Sequence, residues 1–441
     1  MLAWVILLFL VPPFHKTYAQ FTASGDFTAR GEYTNMHRFV PDSIKNKSFN
    51  FLGSAEIDLG YSHNKYSVYL ALLASYTSGP NLFSVGRTRT WSVNAEEAWF
   101  RYQFTDRFSI QAGRIDISYE DEQFFEARDW NNLITSHNSI IGHWMEPDSA
   151  FMADLGLAAN GFRGSANGFN TNPGINNYRY MAYLYAHRKL LDDQLMLTVS
   201  DIFNASDNGI DRDQLYGRNT GGLTAWLSWP SWDLSLTGFY QSGHITDGRN
   251  LSAIYYSGYF GYQPADWLTL LVSYEHMSGD DYSDTTWKKT VHGFSMLYGN
   301  TRKSMGLAGI LDAPYRSNNN PGLNNLGLKA TFDIGGKLSA EPGYHWFTLP
   351  NDYIMTIDPV THKPTPEKVP SSLLHEFDLL FTFTPVDQLE LSLNVSTLIP
   401  GNSVRGINGW NFSGQGFISS CYAEVEFTPG LINKGGHKKS H

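Results

Sequence analysis

The sequence runs to 441 residues, with 42% hydrophobic, 15% aromatic and 17% charged side chains and a formal net charge of −10. Aromatics are too many and charges too few for a soluble or helical-membrane protein, the acidic balance argues against nucleic acid, and the single cysteine, Cys421, leaves no intramolecular disulfide. After the N-terminus no stretch reaches about 18 consecutive apolar residues, so a closed β-barrel is the remaining way for this chain to enter a bilayer.

Residues 1–20, MLAWVILLFLVPPFHKTYAQ, hold an apolar core of roughly ten residues, too short for a helical span. With Ala19 small and Thr17 two before it, the segment predicts a secretory signal and a mature chain from Gln20 or Phe21. Two-residue alternation then begins. In FTASGDFTARGEYT one face takes Phe21, Ala23, Phe27, Ala29 and Tyr33, the other Thr22, Ser24, Asp26, Arg30 and Glu32.

Tight joints follow at 62–65, 104–107, 190–194, 229–232, 263–267, 335–337 and 385–388, and they alternate with long polar segments. Strand, short turn, strand, long loop is the pattern of an outer-membrane barrel, with short periplasmic turns and long extracellular loops. The expectation is an all-β transmembrane antiparallel barrel of about 18 strands, with 16 also compatible. It is read as one domain over residues 21–428, followed by a periplasmic tail at 429–441. Trp91, Trp99, Tyr102, Trp226, Trp229, Trp232, Trp267, Tyr344 and Trp346 sit where strands meet connections and suggest aromatic girdles.

The stretch 109–132, SIQAGRIDISYEDEQFFEARDWNN, starts as a strand and changes character after Tyr119. Phe108, Ile110, Ala112, Arg114 and Asp116 share one parity although they mix apolar and charged groups. A bulge at Gly113 would reconcile them, turning Arg114 and Asp116 into the lumen and Ile115 and Ile117 to lipid. The following loop, Glu120 to Asn132, carries Phe124, Phe125 and Trp130, too apolar for water, and is expected to fold inward and narrow the pore.

Further on, His137, Asn138 and Ser139 are adjacent and so alternate between faces, which gives no catalytic relay. Asp207, Asp211 and Asp213 lack the glycine and glutamate spacing of a calcium loop. Enzyme, metal site and cofactor are therefore not expected. The last strand, FISSCYAEVEF, points Cys421, Val425 and Phe427 outward and Glu424 and Glu426 inward, and would close the sheet on the first.

With its flanks, the 109–132 stretch resembles the alginate export family of outer-membrane barrels. Three segments carry the likeness: AEEAWFRYQFTDRFSIQAGRIDISYEDEQFFEARDWNN (95–132), FSMLYGNTRKSMGLAGIL (294–311) and PGLNNLGLKATFDIGGKLSAEPGYHWFTL (321–349). Where the family usually has Thr-His-Lys, this chain has Thr301, Arg302 and Lys303. The resemblance implies a bacterial outer-membrane channel without chemistry, passing a hydrophilic solute, with an anionic oligo- or polysaccharide among the options. Arg114, Asp116, Arg128, Asp129, Trp130, Arg302 and Lys303 are its constriction candidates.

Parity puts Arg30, Arg101, Arg114, Arg218 and Lys329 on the lumen wall, where acids such as Glu97, Glu275, Glu376 and Asp378 outnumber them. That balance keeps open a general or cation-preferring porin, and a barrel serving as surface scaffold. Expected partners are outer-membrane lipids and a hydrophilic or carbohydrate solute; periplasmic partners stay open.

Overall fold

The computed structural model describes residues 20–34, 48–79, 89–119, 125, 136–160, 178–208, 213–299, 305–308, 320–357, 364–401, 403 and 418–434. Eighteen strands among them form the barrel wall. The first nine are β1 (Gln20–Thr34), β2 (Ser48–His63), β3 (Tyr66–Ser78), β4 (Arg89–Gln103), β5 (Phe108–Ile115), β6 (His137–Met145), β7 (Phe151–Ala159), β8 (Tyr180–Leu190) and β9 (Leu195–Ser206). The other nine are β10 (Tyr216–Trp229), β11 (Trp232–His244), β12 (Asn250–Ala265), β13 (Leu268–Met277), β14 (Leu323–Ile334), β15 (Leu338–Thr348), β16 (Ser372–Val386), β17 (Leu389–Pro400) and β18 (Ile418–Phe427).

Each strand pairs antiparallel with its sequence neighbours, and β18 closes on β1 from Phe27 opposite Phe427 to Thr34 opposite Ser420. Closure matters because hydrocarbon offers no partner to an unpaired N–H or C=O, and a closed sheet has no edge. All seven tight joints fall between strands on one rim, and residues 146–150 between β6 and β7 add an eighth. The longer connections leave from the other rim, the longest between Met277 and Leu323.

The core is inverted relative to a soluble protein. Leucines face outward at high exposure, with Leu155 at 63% and Leu223 at 62%, while polar Thr220, Gln241 and Ser396 are at 0% inside. Such an exterior is stable only in lipid, where apolar side chains meet no water. Trp229 stacks on Trp232, and Trp267 on Phe332, at the short-turn rim; Trp91, Tyr344 and Trp346 face outward near the other. Trp99 and Trp226 do not join these girdles. Both point into the lumen, Trp226 on the face of buried Ser235 and Trp99 on that of Arg101.

Two further expectations need correction. The pairing of β4 with β5 runs through Gly113 without a shift, whereas the register of β3 against β4 jumps between Ala71 and Leu72, opposite Glu97 and Ala95. Glu96 is the extra residue, so the bulge lies one strand away from the expected place. Gly113 is needed for another reason: its φ is +139°, and a Cβ there would stand 2.2 Å from the Ala98 carbonyl oxygen. With no bulge in β5, Ile115 and Ile117 stay on the inner parity and are buried at 4% instead of meeting lipid.

The second correction concerns the C-terminus. Gly430–Lys434, expected within a tail, forms a short strand against Phe21–Ser24 of β1. Its cause is geometric: β18 pairs with β1 from Phe27 onward, leaving the first part of β1 with open backbone groups that the next residues fill. Residues 1–19 and 435–441 lie outside the described residues.

Candidate functional site

Inward side chains of β4 to β7 line a cavity of about 970 Å³ that runs from the short turns, at Asp106, Arg107, Glu146 and Pro147, up to Tyr119. Inner parity of β4 presents Glu97, Trp99 and Arg101 there, and β5 presents Ser109 and Gln111. Arg101 donates from Nε to Gln111 Oε1 at 3.0 Å and from Nη2 to the same oxygen. His143 Nε2 lies 3.2 Å from that oxygen, and His143 Nδ1 lies 2.8 Å from Asp154 Oδ1. Tyr119 closes the ladder by donating to Asp154 Oδ2 at 2.9 Å. The Trp99 ring stacks on Tyr69 at 5.3 Å, with the Arg101 guanidinium carbon 5.6 Å from its centroid.

Above this cavity two connections meet. Phe125, in the loop after β5, is 3% exposed and forms an isolated bridge with Tyr298 of the long connection before β14. Its ring stacks on Tyr298 at 5.7 Å and packs edgewise on His137 at 5.5 Å, with Tyr183 at 4.9 Å. His137 Nδ1 is 2.6 Å from the Tyr178 hydroxyl, and Tyr119 stacks on Tyr185 at 3.7 Å. Burial pushes the Tyr298 and Tyr119 hydroxyls far above the usual tyrosine range, so the cap carries no tyrosinate charge at neutral pH. The inward fold expected for the 120–132 loop is present at Phe125.

The long connection lies along the opposite wall. Gln241 on β11 holds it at Ser295 by two bonds, donating to the carbonyl at 2.7 Å and accepting from the N–H at 3.0 Å. Farther along, Ala308 N donates to Glu376 Oε1 at 2.8 Å and Leu307 N to Asp378 Oδ2 at 3.2 Å, both carboxylates on β16. Gly306 between the grips has φ +82°, and a Cβ there would stand 2.4 Å from Glu376 Oε1. Residues 292–308, where described, thus form an internal strap.

Of the expected site residues, Asp116 lines the cavity and donates its backbone N–H to Glu97 Oε2 at 2.9 Å. Arg114, expected in the lumen, instead stays on the outer parity, opposite Ala98 and Asn138, because no bulge turns it; it donates to the Glu96 carbonyl at 3.2 Å, at the bulge. Arg218 points inward beside Tyr298 and donates to Asn204 at 3.2 Å; Lys329 pairs with Glu341 at 2.8 Å. Arg128, Asp129, Trp130, Arg302 and Lys303 lie outside the described residues. Gln111, His143 and Asp154 went unread in the sequence, though the parity that found Arg101 also reaches them.

A closed barrel with an apolar exterior, a polar interior and loops folded into the lumen defines an integral outer-membrane β-barrel channel. Residues 76–411 match the Alginate export family model, and the chain belongs to the alginate export family. Among solved structures it is similar to Pseudomonas aeruginosa OccK2 (OpdF) in complex with glucuronate, at 13% identity and TM-score 0.59 over 93% of this chain and 98% of that one. It is also similar to OccK11 (OpdR) of the same organism, at 14% identity and TM-score 0.57 over 95% and 100% of the two chains. A BenF-like porin from Pseudomonas fluorescens gives 13% and 0.57 over 93% and 99%. No curated protein matches the sequence. At these identities the solved structures establish the fold alone.

Proposed function

We infer that the channel passes small hydrophilic acids of the sugar class, or their oligomers, along the β4–β7 wall. The observation that carries this reading is the setting of Arg101. Its guanidinium faces the cavity, is held by a neutral amide, and forms no ion pair among the described residues. A guanidinium without a direct ion pair in a narrow, poorly screened lumen attracts a carboxylate even with Asp154 nearby, and the Trp99–Tyr69 stack beside it offers an apolar face to a sugar ring. The glucuronate in the OccK2 structure is the same class of solute. Arg128, Arg302 and Lys303 belong to this reading as further cations on the path.

Planar-bilayer recording tests it. Discrete conductance steps are expected, with glucuronate blocking the current. Arg101→Gln should weaken that block about tenfold, the scale of one charge-assisted contact, and move the reversal potential toward cations. Block unchanged in the variant would end the proposal. A cation-preferring pore is the second reading, favoured by the excess of lumen carboxylates, and it predicts cation selectivity already in the native protein.

A further inference from the structure

Among the described residues the outer wall carries a carboxylate where a barrel should have none. On β9 the inner parity is buried, with Thr198 at 3%, Ile202 at 1% and Asn204 at 3%, while Leu197, Val199 and Phe203 stand outward at 42%, 43% and 46%. Asp201 is on the outward parity between Val199 and Phe203. Six residues separate it from the short-turn end of β9, about 15 Å along the normal for a strand tilted near 40°. That depth is well inside an apolar band about 25 Å tall. Among the described residues, the other charged side chains on outward parity, Arg114 and Arg188, lie within two residues of an assigned strand end, and Glu96 sits at the β4 bulge.

The neighbours are fitted to it. Asn219 on β10, also outward, donates from Nδ2 to Asp201 Oδ1 at 2.7 Å. Gly221, directly across from Asp201 in the register, leaves the space the carboxylate needs, since a Cβ there would lie 2.7 Å from Oδ1. Next to Gly221 on β11 is Tyr240, and one row down Gly238 opens the surface, with nothing within 4 Å of a Cβ built on it. The result is a shallow polar notch in a hydrocarbon-facing wall. The Asn219 amide has a second N–H, and the carboxylate has lone pairs to spare. In lipid these groups have no solvent to turn to.

We propose that this notch is the contact of a dimer with a second copy of the chain. The amide and the carboxylate already touch within one chain, so they stand at the same depth. A two-fold axis along the membrane normal preserves depth, and it carries each Asn219 to the other copy's Asp201. Each notch then offers its second amide N–H and its free carboxylate lone pairs to the other.

The test uses full-length protein in liposomes with Cys421→Ser as background, so that each added cysteine is alone. Leu223→Cys, beside Gly221, should oxidise to a disulfide-linked dimer, and Leu393→Cys on the far wall should not. Adding Asp201→Leu should cut the Leu223→Cys dimer about tenfold, the scale of a lost hydrogen-bonded contact in lipid. The Asp201→Leu chain itself should keep or gain heat resistance in detergent, because leucine suits lipid better than a carboxylate. Equal cross-linking on both walls, no dimer at Leu223→Cys, or loss of heat resistance with an unchanged dimer would each overturn the proposal.

Discussion

The β4–β7 wall and the β16 wall follow the same inward alternation, yet their charged groups do different work. On the first, Arg101, His143 and Asp154 bond to one another and border a cavity; on the second, Glu376 and Asp378 are 1% and 6% exposed and spend their acceptors on the strap. A carboxylate that holds a backbone N–H is not offered to a passing solute. Counting inward acids by parity therefore overstates the negative charge a solute meets, although the β4–β7 wall still sets Glu97, Asp116 and Asp154 beside Arg101.

The comparison breaks most visibly if the strap is released. Replacing Glu376 and Asp378 together by Ala should free residues 305–308 from β16 and raise single-channel conductance severalfold. Glu376→Gln with Asp378→Asn retains carbonyl acceptors and should give an intermediate value. If conductance in the Ala pair equals the native value, the strap does not restrict the lumen. Gly306→Val tests the same grip from the other side, since β-branching at φ +82° beside the Glu376 carboxylate is strained, and a smaller rise is expected.

Truncating the cap probes the seam between the two regions. Phe125→Ala should cost about 3 kcal/mol of stability, as for a buried aromatic, and increase noise in the open-channel current. A cost below about 1 kcal/mol would show that the Phe125–Tyr298 contact is not a packed joint. The smallest effect is expected at Lys329→Met. Its pair with Glu341 is half exposed, so stability should change by less than about 1 kcal/mol, and the reversal potential should move less than in Arg101→Gln.

Local rules were enough for the wall. Alternation gave the faces of β1, β16 and β18, and the turns gave the strand order, because both depend on residues adjacent in the chain. What escaped depends on the partner strand. A glycine at a parity conflict suggested a bulge at Gly113, but the register placed it at Glu96, and Ile115, Ile117 and Trp99 turned inward with it. The grips of Gln241, Glu376 and Asp378 on the strap join residues far apart in sequence, and no spacing rule announces them. The cap was legible in kind, since Phe124, Phe125 and Trp130 are too apolar for an outer loop, while its partner Tyr298 was not.

The short strand Gly430–Lys434 bears on how the molecule assembles. The seam joins the first strand of the chain to its last segments, Phe27 to Phe427 and Phe21 to Lys434, which are among the longest sequence separations the fold contains. Loop-closure entropy makes such pairings late, so β1 waits with one edge unsatisfied until β18 and residues 430–434 reach it. Because the closing edge comes in two pieces, separated at Thr428 and Pro429, the seam can zip from the loop rim through β18 and lock at the periplasmic rim in a second step. Deleting residues 430–434 should then leave a barrel that closes but reopens faster at that rim, visible as quicker amide exchange in Phe21–Ser24 with β10 unaffected.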